Sequence, residues 1–131
     1  MFSQWQQVFD YIAENFVLPD KRNAFVEEEL ERNSFVCCAK QNGIAVVAAD
    51  YEHCIDDKLR ILVNKTPFEW RGEPVRIVLF APRRHMPYDK GRVAQDIYSH
   101  LLRVGVGVAD QVAAMTTEEL VRWCAYNRVH R

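Results

Sequence analysis

The chain has 131 residues, of which 49% are hydrophobic and 27% are charged, a composition typical of one soluble domain that can bury a core without metals or disulfides. Its 17 basic and 18 acidic residues give a formal net charge of -1, so no overall field favours nucleic acid or an anionic membrane as a partner. We find no apolar run of membrane-spanning length and no signal peptide, and therefore expect a cytoplasmic protein of a single domain, residues 1–131.

The four cysteines predict neither a metal site nor a redox motif. Cys37 and Cys38 are adjacent, while Cys54 and Cys124 stand alone, so there is no Cys-x-x-Cys pair. Free cysteine mostly behaves as a small buried hydrophobe. We expect four reduced thiols and no cofactor.

The first predicted element is an amphipathic helix. Ser3 and Gln6 are placed to form a capping box at its start. Apolar residues then recur at the spacing of one helical face: Trp5, Val8, Phe9, Ile12, Ala13 and Phe16.

A second helix is predicted from a cap at Asp20 to about Arg32. Its apolar side includes Ala24, Phe25 and Leu30. An acidic run is expected to face water rather than to hold a metal: Glu27, Glu28, Glu29 and Glu31. A short strand at 35–39 is the next candidate element.

The most apolar segment, residues 43–49, follows the turn signal Gln41-Asn42-Gly43 and is uncharged throughout. Small and β-branched residues in such a run predict a strand buried on both faces, and we expect it to be the innermost strand. Two further strands are predicted at 58–64 and 75–81, joined through a turn at Arg71-Gly72, with Pro82 ending the last one.

Helices are expected to complete the domain. A loop with Arg83, Arg84 and His85 leads to a helix over 89–104, and shorter helices follow at 108–115 and after Thr116, where Glu119 completes a capping box. A loop connection between consecutive strands implies antiparallel neighbours, so the sheet should be mixed and covered by helices on both faces.

The order of several segments resembles the type-2 enzyme IIA family, the mannitol- and fructose-type phosphocarrier domains of the bacterial phosphotransferase system. The segments that carry the resemblance are Arg32, Gly43-Ile44-Ala45-Val46, Pro67-x-x-Trp70, the strand at 75–81 and Thr116-Thr117-Glu118-Glu119-Leu120. The resemblance extends from about Trp5 to Trp123. It implies an α/β fold with a mixed sheet of about four to five strands flanked by helices on both faces.

This sequence departs from the family at the positions that carry its chemistry. The family has an Arg-Glu pair where this chain has Arg32 and Asn33. Its Gly-Ile-Ala-Ile-Pro-His pattern ends in the phosphorylated histidine, whereas here Val47 replaces the proline and Ala48 the histidine. A second family histidine is replaced by Val93 or a close neighbour. The family positions that we single out are Arg32, Gly43, Ala45, Val47, Ala48 and Trp70.

Phosphoryl transfer through histidine needs a ring nitrogen with a free lone pair, which the methyl group of Ala48 lacks. No catalytic residue is therefore expected, and two other histidines are fallback candidates. His53 lies among carboxylates that would repel phosphate and raise its pKa, and His85 follows two arginines. We expect His100 to be packed in its helix and His130 to lie in the terminal tail.

Three functions remain as hypotheses. The first is a regulatory module, as in transcriptional regulators that contain phosphotransferase regulation domains, with protein partners, no direct nucleic-acid contact and an exposed apolar contact patch at Val46, Val47 and Ala48. A homodimer is left open. The second is an active phosphocarrier that uses His53 or His85. The third is an unrelated small cytosolic α/β enzyme whose nucleophile would be Cys37 or Cys38.

Overall fold

The computed structural model describes residues 2–35, 37–39, 43–56, 58–84, 114–116, 118–119 and 122. Its main elements are helices α1 (Gln6–Phe16) and α2 (Arg22–Phe35) and strands β1 (Ile44–Asp50), β2 (Arg60–Trp70) and β3 (Glu73–Arg84). Short 3-10 turns lie at Pro19–Lys21 and Tyr51–His53. The predicted α/β class is confirmed.

The sheet is mixed, as predicted, but its middle strand is β3. The strand order is β1-β3-β2, with β1 parallel and β2 antiparallel to β3. Among the described strands, the prediction that segment 43–49 is innermost is therefore wrong, because β3 lies between β1 and β2. The apolar character of the segment reflects burial of its two faces. Three strands occur among the described residues, fewer than the expected four to five.

The side chains of β1 alternate between the two faces of the sheet. Ala45, Val47 and Ala49 are buried in the same hydrophobic cluster as residues of α1 and α2, so these helices cover one face. The opposite face is also shielded from solvent, as shown by the burial of Ile44, Ile77 and Leu79. The helix predicted at 89–104 lies outside the described residues.

The β2–β3 hairpin closes at the predicted turn. Arg71 and Gly72 both have positive φ, 51° and 91°, as a two-residue type I′ loop requires. Both strands exceed their predicted bounds, since β2 continues to Trp70 and β3 continues past Pro82 to Arg84. Proline is tolerated there because the β1–β3 register shifts immediately after the Ala49–Pro82 pair, at a bulge.

Helix α1 has the predicted buried face, formed by Val8, Phe9, Ile12 and Ala13. Its start differs from the prediction, because the side chain of Gln7 rather than that of Gln6 forms the hydrogen bonds at the start of the helix. The Oε1 atom of Gln7 accepts hydrogen bonds from the backbone N–H groups of Ser3 at 2.9 Å and Gln4 at 3.1 Å.

Helix α2 presents a different face to the core from the one that we predicted. Its buried residues are Phe25, Glu29 and Asn33, spaced four apart along one stripe, while Ala24 is exposed and Leu30 is 39% exposed. The prediction that Glu29 faces water is therefore wrong. The helix also runs through Phe35, so the strand predicted at 35–39 is reduced to a single bridge between Ala39 and Ala45.

One half of the capping box predicted at Thr116 and Glu119 is observed. The backbone N–H of Glu119 donates to Oγ1 of Thr116 at 3.1 Å, and the two side chains lie 3.2 Å apart through Thr116 Oγ1 and Glu119 Oε1. Most of the helix predicted at 108–115 lies outside the described residues. Within the described part, no helix is long and apolar enough to cross a bilayer.

Candidate functional site

A cavity with a volume of about 500 Å³ lies between α2 and the carboxyl end of β1. In an open α/β sheet this is the usual place for a ligand, outside the carboxyl ends of the strands. Its walls are formed by Val17, Lys21, Ala24, Phe25, Glu28, Arg32, Ala49, Asp50 and His53.

Two hydrogen bonds position the part of the cavity wall that follows strand β1. Asp50 ends β1 and caps the turn Tyr51–His53 by accepting, at Oδ1, a hydrogen bond of 3.1 Å from the N–H of Glu52. The carbonyl oxygen of His53 then accepts a 2.8 Å hydrogen bond from the N–H of Leu18. This second bond fixes the turn against the connection between the two helices, so His53 reaches the cavity wall.

The cavity wall combines both signs of charge. Lys21 and Arg32 are cationic and Glu28 and Asp50 are acidic, while His53 adds an imidazole ring to the wall. Among the described residues, the side chains of Lys21, Glu28 and His53 form no hydrogen bond or ion pair. These three groups are therefore available to a ligand.

The buried carboxyl group of Glu29 orients the side chain of Arg32 through an ion pair. Nη1 of Arg32 lies 3.2 Å from Oε1 of Glu29, and the Arg32 side chain remains 44% exposed. Burial raises the pKa of Glu29 to about 7, partly opposed by the positive charge of Arg32 and reinforced by Glu28. A guanidinium has five N–H donors, so the ion pair leaves others for the cavity.

Asn33 has a structural role. Its Oδ1 accepts hydrogen bonds from the backbone N–H of Cys38 at 2.9 Å and from the indole N–H of Trp70 at 3.3 Å. The guanidinium of Arg71 donates to the Asn33 carbonyl oxygen. The amide at this position therefore links the end of α2 to the β2–β3 hairpin, which a carboxylate could not do in the same way without burying a charge.

The structure separates the family positions into two groups. Arg32 lines the cavity, whereas Ala45, Val47 and Trp70 are buried in the core and Gly43, with φ of 77°, forms the turn before β1.

Ala48 does not line the cavity, because alternate residues of a strand point to opposite faces and its neighbour Ala49 is the one that faces α2. The predicted apolar patch at Val46, Val47 and Ala48 is not present as such, since Val47 is fully buried.

The histidine candidates have different outcomes. His53 lies in the cavity wall with Lys21 and Arg32, an arrangement that the sequence did not reveal. His85, the second fallback, lies outside the described residues, as do His100 and His130.

No family model matches this chain, and comparison with curated proteins gives no significant match. The function must therefore be argued from the site itself.

Three of the four cysteines lie in the part of the chain that the structure describes. Cys38 and Cys54 are buried and Cys37 is half-buried. Burial, reinforced by the charges of Asp50 and Asp56, raises the pKa of Cys54 to about 11, which disfavours the nucleophilic thiolate.

Sequence reasoning missed the α2 side of the cavity. Lys21, Glu28 and Arg32 share one face of the helical segment, but only Arg32 was singled out. Lys21 and Glu28 are seven residues apart, which is two helical turns, so they lie on the same side of the helical segment. Together with the prediction that a strand ends at Asp50–His53, this spacing could have indicated a charged site there.

Proposed function

We propose that this chain is a regulatory domain similar to the type-2 enzyme IIA domains, without a phosphorylatable histidine, and that it works in the cytoplasm as a sensory or interaction module. Its partners would be proteins of the phosphotransferase system or other domains of a sugar-operon transcriptional regulator. Contact with nucleic acid would be left to those other domains.

One observation supports this proposal: Ala48, which the resemblance aligns with the family's phosphorylated histidine, has only a methyl group and faces away from the cavity that contains His53. An imidazole in the cavity is thus on the wrong face to replace the missing one. The mixed α/β sheet, with parallel β1 and β3, is compatible with the family's fold.

The test is a phosphorylation assay. The purified chain is incubated with phosphoenolpyruvate and the general phosphotransferase proteins, beside an active mannitol-type enzyme IIA as the positive control. We expect acid-labile phosphohistidine on the control alone. Stoichiometric phosphohistidine on this chain would overturn the proposal.

A second candidate is a phosphocarrier that uses His53. The observation in its favour is that His53 shares a cavity with Lys21 and Arg32, cations suited to a phosphoryl group. The nearby carboxylate of Asp50 opposes it, because its negative charge repels an incoming phosphate. Label that persists in His85→Asn and disappears in His53→Asn would establish this candidate.

The interaction role has its own test. The small histidine phosphocarrier protein is titrated into the isotope-labelled chain, and chemical shifts are followed. We expect a saturable set of shifts without phosphate transfer. An unchanged spectrum would remove this protein as a partner, and sedimentation of the chain alone decides whether it self-associates.

A further inference from the structure

We propose that the cavity between α2 and the end of β1 binds a small organic anion that also carries hydroxyl groups. This inference goes beyond the regulatory role proposed above and does not depend on it. It rests on three features: the size of the cavity, the presence of both positive and negative charges in its wall, and polar side chains there that have no partner among the described residues.

The anionic group of the ligand is assigned to the α2 side of the cavity. Lys21 and Arg32 supply the two permanent positive charges of the wall, three helical turns apart along this side. Glu29 binds Arg32 through Nη1, which holds the guanidinium in place, and a guanidinium has further donors for a carboxylate or phosphate. Lys21 has no intramolecular partner in the described region, so its ammonium group is available for a second contact with the ligand.

The hydroxyl groups are assigned to the two carboxylates of the wall, Glu28 on α2 and Asp50 at the end of β1. Because both line the cavity, a simple inorganic anion would meet repulsion as well as attraction. Carboxylates accept hydrogen bonds, and hydroxyl groups are suitable neutral donors to them. A ligand with both kinds of group therefore fits the wall better than one with either kind alone.

The apolar part of the wall limits the ligand's size and shape. Val17, Ala24, Phe25 and Ala49 line the cavity between the charged groups, and the volume of about 500 Å³ is in the range of small-molecule sites. His53 stands at the rim, where its ring can donate or accept one hydrogen bond. These features suit a short carbon chain with a charged group at one end.

Calorimetric titration with four probes tests the inference on the intact chain. Glycerol 3-phosphate and glycerate carry both features, methyl phosphate carries only the anion, and glycerol carries only hydroxyls. We expect saturable binding of at least one hydroxylated anion, weaker binding of methyl phosphate and none of glycerol. Comparing the first two distinguishes a phosphate ligand from a carboxylate ligand.

Variants assign the binding to this cavity. Removing one charge-assisted contact typically costs about 1.5–3 kcal/mol, or roughly tenfold or more in affinity. Lys21→Gln and Arg32→Gln should therefore each lower the affinity for the anion by about this factor. Lys21→Gln is the safer variant for folding, because Lys21 has no intramolecular partner in the described region. Asp50→Asn should reduce the preference for glycerol 3-phosphate over methyl phosphate.

Lys58→Gln is the matched control, since Lys58 is exposed and does not line the cavity. It should leave the affinity unchanged at constant ionic strength. Equal weakening by Lys58→Gln and Lys21→Gln would reveal non-specific attraction and overturn the proposal. So would the absence of saturable binding for both hydroxylated anions, whatever the outcome of the phosphorylation assay.

Discussion

At the scale of single residues, Glu29 is the main departure from what its sequence context suggests. It belongs to a run of acidic residues, yet it is 1% exposed and points along the buried stripe of α2. A helical acidic run gives no periodic signal that separates an inward carboxylate from its outward neighbours. Only the i, i+4, i+8 relation to Phe25 and Asn33 could have indicated it.

Glu29 should make stability depend on pH. Its pKa in the folded state is about 7, against 4.5 for an ordinary glutamate, so the folded chain binds the extra proton between these values. The free energy of unfolding should therefore fall as pH rises from about 4.5 through 7, by about 3 kcal/mol. Urea unfolding at several pH values measures this slope.

Glu29→Gln should flatten that slope and be the more stable protein at pH 8, because an amide carries no charge to desolvate. Glu31→Gln, on the exposed side of the same helix, is the matched control and should keep the wild-type slope. An unchanged slope in Glu29→Gln would show that other groups cause the pH dependence.

Cys54 should react slowly with alkylating reagents. Its pKa of about 11, against 9.0 for an ordinary thiol, lowers the thiolate fraction near neutral pH by roughly 100-fold, and the thiol is buried. Mass spectrometry after iodoacetamide treatment should show the half-buried Cys37 modified first. Rapid alkylation of Cys37 or Cys38, faster than a model peptide, would instead support the third hypothesis of a cysteine enzyme.

At the scale of elements, Asn64 connects β2 to the segment before α1. Its buried amide forms three hydrogen bonds: Oδ1 accepts from the N–H of Phe2 at 2.8 Å, and Nδ2 donates to the carbonyl oxygens of Phe2 at 2.9 Å and Thr66 at 2.7 Å. Thr66 lies in the stretch of β2 where the pairing with β3 is interrupted. The side chain thus replaces part of the missing ladder.

Asn64→Ala should lower the free energy of unfolding by about 2–3 kcal/mol, because it leaves buried backbone groups without partners. Asn15→Ala is the control: its Nδ2 also donates to a carbonyl oxygen, that of Tyr11 at 2.8 Å, but at an exposed site. It should change stability by less than about 0.5 kcal/mol. Equal effects of the two substitutions in denaturant unfolding would contradict this role for Asn64.

The elements also show what could be predicted. Helix α1 was predicted correctly because its apolar spacing is regular, and the turn at Arg71-Gly72 was predicted correctly because glycine marks it. The position of segment 43–49 in the sheet was predicted wrongly, since an uncharged run indicates that the faces of a strand are buried and carries no information on which strands pair along its edges. The cavity could be predicted only in part: Arg32 and His53 were each singled out, but their proximity depends on how α2 crosses the end of β1.

At the scale of the whole molecule, Phe80 joins the sheet to both helices of the described core. Its ring is 1% exposed and lies on β3, stacked on Phe16 of α1 at 5.8 Å between centroids and edge-on to Phe25 of α2 at 6.2 Å. Aromatic pairs of this kind add to the free energy already gained by burial. Both helices therefore share one anchor on the middle strand.

Phe80→Ala should cost about 3–5 kcal/mol of stability, the usual range for removing a buried phenyl ring. Phe35→Ala is the matched control, because Phe35 is 82% exposed at the end of α2 and its loss should cost less than about 0.5 kcal/mol. Thermal or chemical unfolding of the two variants decides the matter. A small effect of Phe80→Ala would show that the helices are held by other contacts.

The tight turn at Arg71-Gly72 has a consequence for how the chain reaches its native state. Strands β2 and β3 meet through neighbouring residues, whereas β1 joins β3 by pairing Ile44 with Ile77, across a much longer loop. Closing that loop costs more chain entropy, which slows the step. Refolding is therefore expected to begin at the hairpin, and docking of β1, which completes the wall of the cavity, should follow as the later event.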